Sequence, residues 1–292
     1  MSTRRLQLRI RGQVQGVGFR PFVYRMATQL CLGGWVRNDG EGVELELQGE
    51  AGLVERFRRQ LHQEAPPLAR IDAVEPHDLE VQADEEPGFR IEHSRGGATT
   101  TGVTTDAAAC ADCCRELLDP ADRRHRYPFI NCTNCGPRYT ITRAIPYDRP
   151  KTTMAGFVMC PDCQREYDDP LNRRFHAQPN CCPRCGPRLE LTDLEGRPVE
   201  GGDPVTLAVE RLARGGIVAI KGLGGYHLAC DARDREAVAR LRRRKDREEK
   251  PLAVMVANVQ SLDGLAHPRQ ADLEQLRRVE APIVLLPKAE GC

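Results

Sequence analysis

Leu6, Leu8 and Ile10 alternate with Gln7 and Arg9, the period-two pattern of a half-buried strand. Phe22, Val23, Met26, Ala27 and Leu30 then recur at helical spacing, with Pro21 suited to a first turn and Gly33-Gly34 expected to stop the helix. A strand at residues 35–37 and a turn at Asn38-Asp39-Gly40 follow. Val43, Leu45 and Leu47 then alternate with Glu44 and Glu46 as another strand. Leu53, Val54, Phe57 and Leu61 form a second amphipathic pattern, and residues 71–74 and 89–91 read as strands. This βαββαβ order predicts a ferredoxin-like split sandwich over residues 1–93.

The pattern then changes. Residues 94–105 are rich in Gly, Thr and Ser and read as a linker into a stretch with few apolar positions. Periodicity returns with Val205, Leu207, Ala208, Val209 and Leu212, a helix stopped by Gly215-Gly216. Strands are expected at residues 217–220, 252–256 and 283–286, with a cation-dense helix, Arg240 to Arg244, between the first two. The expected class is therefore α+β multidomain, divided at 1–93, 94–195 and 196–292.

The middle segment carries the strongest chemical signal. Cys110, Cys113, Cys132 and Cys135 form C-x2-C-x18-C-x2-C, and Cys160, Cys163, Cys182 and Cys185 repeat it 50 residues later. Aligning 110–141 on 160–191 gives 14 identities in 32 positions, so the unit is duplicated. The spacing is that of tetrahedral thiolate zinc sites, which predicts two structural zinc ions with no open coordination position. Sequential pairing, first four then second four, is the simplest ligand assignment, and the spacing is also compatible with interleaved pairing. Cys114 and Cys181 sit beside ligands as competitors, Cys31 and Cys230 read as small core residues, and Cys292 ends the chain. Arg123, Arg124, Arg138, Arg173, Arg174 and Arg188 could offset the excess thiolate charge, face solvent, or present a phosphate or nucleic-acid surface. His125 and His176 are spare metal ligands that complete four-cysteine sets make unnecessary.

A net charge of +1 argues against nucleic acid as the main partner. The N-terminus has no apolar h-region, and no run of 18 apolar residues suits a membrane span. A cytoplasmic location with reduced thiols is expected, which favours zinc over disulfides.

Gln15, Gly16, Val17, Gly18, Phe19 and Arg20 form a glycine loop ahead of a helix, where successive backbone N–H groups can line an anion nest. Arg20 adds a bidentate fork for phosphate oxygens. Asn38, at a strand end, could hold a water; a side-chain amide is too weak a base to do more than position it. Taken together, 14–20 and Gly34-Trp35-Val36-Arg37-Asn38 resemble the acylphosphatase signature. That resemblance implies phosphate binding by Arg20 and water orientation by Asn38.

Lys245-x-Arg247 and Lys250-Pro251-Leu252, with residues 222–231, resemble the YrdC nucleotide-binding family. The resemblance implies that Lys245, Arg247 and Lys250 contact ATP, with Mg as its expected companion. The bland alternative is a solvated helix beside Glu248 and Glu249. The family's later Ser-x-Asn element is absent, so the nucleotide site is expected to be incomplete.

Acylphosphatase-like, double-zinc and YrdC-like segments in this order resemble the hydrogenase-maturation carbamoyltransferases, the HypF family. The resemblance implies hydrolysis of carbamoyl phosphate and formation of carbamoyl-adenylate with ATP. It further implies transfer of the carbamoyl group to the C-terminal cysteine of a HypE-type partner, for cyanide ligand synthesis. Three other readings compete. One is an acylphosphatase fused to a zinc-dependent nucleic-acid or protein docking module. The others are a tRNA threonylcarbamoylation protein and an unselective acylphosphatase.

Overall fold

The computed structural model describes residues 2–82, 88–95, 102–222, 224–247 and 249–291. Residues 96–101 of the expected linker, Glu248 and Cys292 lie outside them. The chain divides into two compact units, Met1–Pro187 and Arg188–Cys292.

The first unit opens with strand β1 (Thr3–Gln13), helix α1 (Phe19–Gln29), β2 (Gly33–Asn38), β3 (Val43–Glu50), α2 (Ala51–Gln63), β4 (Arg70–Leu79) and β5 (Phe89–Ile91). These strands form one sheet in the order β4-β1-β3-β2-β5. The pairings are antiparallel except β2 with β5, which run parallel. The short β5 thus extends the expected sandwich at its edge. Leu6, Leu8, Ile10, Val43, Leu45 and Leu47 are fully buried as the alternation implies, but on β3 the intervening Glu44 and Glu46 are buried too, paired with Arg37 and Arg5. They share one core with Val23, Val54 and Phe57 from the two helices. Helix α1 ends earlier than expected. Cys31 takes a left-handed φ of 53° and closes the helix, while Gly33 and Gly34 already belong to β2. That geometry turns Cys31 outward, so it is exposed and not a core residue.

The duplicated segment folds as two copies, each with a short helix that begins immediately after its first cysteine: α3 (Ala111–Leu118) and α4 (Pro161–Asp168). The copies embrace. Arg124 is 1% exposed, donates to the Cys181 carbonyl at 2.9 Å and forks onto Glu166 at 3.0 and 2.6 Å. Its repeat partner Arg174 donates to the Asn131 carbonyl at 3.1 Å and pairs with Glu116. Burial would push the Glu116 carboxyl up, but Arg174 and Arg173 outweigh it and hold it down at about 2. These arginines are internal fasteners, so neither a solvated face nor a phosphate surface describes them. Arg123 is exposed but paired with Glu166, and Arg188 is exposed.

The second unit contains α5 (Pro204–Ala213), β6 (Val218–Lys221), β7 (Tyr226–Ala229), α6 (Arg235–Lys245) and α7 (Gln270–Leu276). β6 and β7 form a two-stranded antiparallel hairpin. The strands expected at 252–256 and 283–286 are not formed. Their apolar side chains meet no ladder partner: Met255 is 97% exposed and Leu285 87%. Among the described residues, no helix is long and apolar enough to cross a membrane.

Candidate active site and metal centres

The glycine loop between β1 and α1 is built for close approach. Gly16 and Gly18 have φ of 73° and 76°, a left-handed conformation that L side chains rarely adopt. Gly18 is also the residue from which α1 starts, so the loop runs into a helix N-terminus. The Gln15 side chain fastens the loop from behind, donating to the carbonyls of Asp39 and Gly42 at 2.7 and 2.8 Å. Val17 is fully buried in the core.

Gly16, Gly18, Phe19, Arg20 and Asn38 line one wall of a pocket. Gln15 and Val17, from the same expected set, anchor the loop and do not line it. Arg20 and Asn38 meet directly. With the Asn38 amide turned so that its oxygen faces Arg20, it accepts from Nε at 3.2 Å and Nη2 at 3.3 Å. Arg20 Nη1 donates to Ser94 Oγ at 3.3 Å.

The opposite wall comes from the cysteine-rich segment: Thr133, Arg138, Tyr147, His176, Ala177 and Gln178. Arg138 is 2% exposed; it donates to the Gly16 carbonyl and to the carbonyls of Cys132 and Thr133, each at 2.9 Å. Tyr147 N donates to Gln15 Oε1 at 3.1 Å, and Asp148 Oδ1 accepts from Arg20 Nη2 at 2.8 Å. His176 stacks on Tyr167, and burial together with the nearby Arg20 charge pushes its imidazole down to about 4. It is therefore neutral at pH 7, and it serves the pocket, not a metal. None of these second-wall residues was singled out for this site by the sequence, although a signal exists for His176. At the same left-handed position of the first copy stands Arg126, so the two copies diverge there.

The cysteines resolve the pairing question in favour of sequential sets. Cys110, Cys113, Cys132 and Cys135 converge, as do Cys160, Cys163, Cys182 and Cys185. Neighbouring Sγ atoms stand 3.4–3.7 Å apart in the first set and 3.6–3.8 Å in the second. Four sulfurs about 2.3 Å from one zinc ion have tetrahedral edges of roughly 3.8 Å, so both sets fit zinc. Cys114 and Cys181 stay outside the clusters. The excess thiolate charge is met crosswise. Arg123 and Arg124 of the first copy approach Cys163 Sγ at 3.3 and 3.5 Å, and Arg173 of the second approaches Cys113 Sγ at 3.1 Å.

In the second unit, Lys245 and Lys250 are exposed. Arg247 is half-buried, donates to the Pro251 carbonyl at 3.2 Å, and its own carbonyl accepts from Arg242 at 3.1 Å. The three basic residues are close in sequence, at the end of α6 and just beyond it.

Comparison with known proteins follows the same divisions. The acylphosphatase family model matches residues 6–91, the HypF finger model residues 109–142 and 159–192, and the telomere recombination model residues 210–291. Carbamoyltransferase HypF2 of Cupriavidus necator is 57% identical over 290 residues, 99% of this chain and 36% of that protein. A crystal structure of full-length HypF in the phosphate- and nucleotide-bound form superposes with a TM-score of 0.92 at 44% identity, covering 99% of this chain and 38% of that one. An acylphosphatase of Salinibacter ruber is 43% identical over 91 residues, 31% of this chain and 94% of that protein. The chain spans little more than a third of the length of the HypF proteins it matches. With its acylphosphatase-like domain, duplicated HypF finger and YrdC-like segment in that order, the chain belongs to the HypF carbamoyltransferase family and corresponds to its N-terminal portion.

Proposed function

We propose that this chain carries the carbamoyl phosphate-hydrolysing end of a carbamoyltransferase of [NiFe]-hydrogenase maturation. The observation that carries the reading is the junction of Arg20, Asn38 and the left-handed Gly16–Gly18 loop in one pocket. Backbone N–H groups and a guanidinium suit a phosphate dianion. Asn38, 1% exposed and held against Arg20, suits a fixed water. Water would add to the mixed anhydride, the bridging bond would break, and carbamate and inorganic phosphate would leave with one proton released.

In the remainder of the reading, Lys245, Arg247 and Lys250 contribute to an ATP site where carbamate becomes carbamoyl-adenylate and pyrophosphate, with Mg on the phosphates. The carbamoyl group would then pass to the C-terminal cysteine of a HypE-type partner in the cytoplasm. Support for this part is family membership together with the nucleotide-bound state named for the HypF structure. Zinc in the two cysteine sets would cross-link the wall that carries Arg138 and His176, and would take no part in bond making. Against the alternative of a nucleic-acid docking surface on that segment, Arg124 and Arg174 are buried and paired.

The test is phosphate release from carbamoyl phosphate by the chain and its Arg20→Ala and Asn38→Ala variants. Release that requires both residues is the expected result. Release that survives either substitution removes that residue from the chemistry.

A further inference from the structure

The pocket has two walls of different origin. The glycine loop, Arg20 and Asn38 are what an acylphosphatase of about this domain's length contains. The 91-residue match to the Salinibacter ruber protein fills 94% of it, leaving no room there for a second module. Whatever the cysteine-rich wall adds is therefore not required for acyl phosphate hydrolysis as such.

Much of that wall's donor capacity is already spent: the Arg138 guanidinium is taken up by the carbonyls of Gly16, Cys135, Cys132 and Thr133. If the phosphate takes the loop N–H groups and Arg20, the acyl group must face the opposite residues. Asp148 presents a carboxylate oxygen on Arg20 Nη2, the same nitrogen that Asn38 contacts. The Tyr147 carbonyl lies 3.5 Å from that nitrogen. His176 adds an imidazole held neutral. Beside the guanidinium, then, stand oxygen acceptors that already take its N–H and still have lone pairs for a donor on the ligand. The free space at the pocket centre is about 20 Å³, so little room is left beside a bound phosphate. A carbamoyl group carries two N–H donors; an acetyl group of nearly the same size carries none.

We propose that the cysteine-rich module is the acyl-group selector of this site, with Asp148 the specificity-determining residue that accepts a hydrogen bond from the carbamoyl N–H. The inference rests on the acyl phosphatase reading above and adds what that reading leaves open, the choice between acyl phosphates. An analogue without the donor forgoes that bond and sets a methyl group against the carboxylate.

The experiment is the ratio of kcat/KM for carbamoyl phosphate to that for acetyl phosphate, measured on the full chain and on its Asp148→Ala and Asp148→Asn variants. Both substrates present the same phosphate to Arg20. A general loss of folding or a shift of Arg20 therefore lowers both rates and cancels in the ratio. The wild-type ratio is expected to exceed tenfold. Asp148→Ala is expected to reduce it at least tenfold. Asp148→Asn, which keeps a carbonyl acceptor, should reduce it less. A wild-type ratio near one, or a ratio changed less than threefold in Asp148→Ala, overturns the selector role while leaving acyl phosphate hydrolysis intact. Hydrolysis of neither substrate by the wild-type chain overturns the underlying reading and the selector role with it.

Discussion

The two candidate phosphate-handling regions of this chain differ in how their cations are held. In the first unit Arg20 is 8% exposed and its guanidinium is fixed by Asn38, Ser94 and Asp148. In the second unit Lys245 and Lys250 are exposed, and among the described residues the Arg247 guanidinium donates to the nearby Pro251 carbonyl. The first is a site between two walls, one contributed by residues more than 100 positions further along the chain. The second is a single face. A guanidinium whose geometry is set in advance loses less entropy on binding an anion, so the first region is preorganised in a sense that the second is not.

The largest expected effect attacks the second wall. Its side chains have a modest apolar core of their own, built around the cysteines. Removing zinc with a strong chelator, or Cys113→Ser, is expected to unfold the cysteine-rich segment, since metal binding is folding free energy in such modules. Residues 3–79, whose core contains none of those residues, should stay folded. Hydrogen exchange would check this: fast exchange across 106–187 with β1 and β3 still protected. Loss of protection in β1 and β3 would mean that the sandwich depends on its neighbour. Metal analysis should find two zinc ions per chain, and one would leave a single true centre.

Next come the cations themselves. Arg20→Ala should lower kcat/KM for carbamoyl phosphate by roughly 100-fold or more, because it removes a buried, preorganised charge. Single Lys245→Ala or Lys250→Ala changes should weaken ATP binding only a few fold, as expected for screened surface charges. Calorimetric titration with ATP and steady-state kinetics check the two. Equal losses at both sites would erase the contrast drawn above.

Much of the first unit was legible because its physics is local. Period-two alternation gave β1 and β3, and left-handed glycines ahead of an apolar helix gave the loop. Eight cysteines in register gave the metal sets. The second wall was not legible, because Asp148 and Tyr147 sit in a spacer with no motif and reach Arg20 only through the fold. The arginine pairs were readable as charge balance but not as an exchange between copies, since that requires knowing that the repeats embrace. In the second unit, apolar runs at 252–256 and 283–286 suggested strands. A strand is a property of a pair, and among the described residues no strand pairs with either run.

The smallest effect concerns His176. Its imidazole ordinarily titrates near 6.5 and is pushed down to about 4, first by burial and then by the Arg20 charge. Between those values the unfolded chain binds a proton that the folded chain resists. Folding stability that is fully present above pH 6.5 is therefore lost progressively as pH falls toward 4. One proton limits this slope to about 1.4 kcal/mol per pH unit. His176→Gln removes the group, so the stability of wild type relative to variant, taken from denaturation curves at saturating zinc, should fall as the pH is lowered from 6.5 to 4. Zinc release and the other acidic groups affect both proteins and drop out of the difference. Curves that stay parallel from pH 6.5 to 4 would mean that His176 is solvated, and the second wall would then be looser at its His176 end than at Arg138 and Asp148.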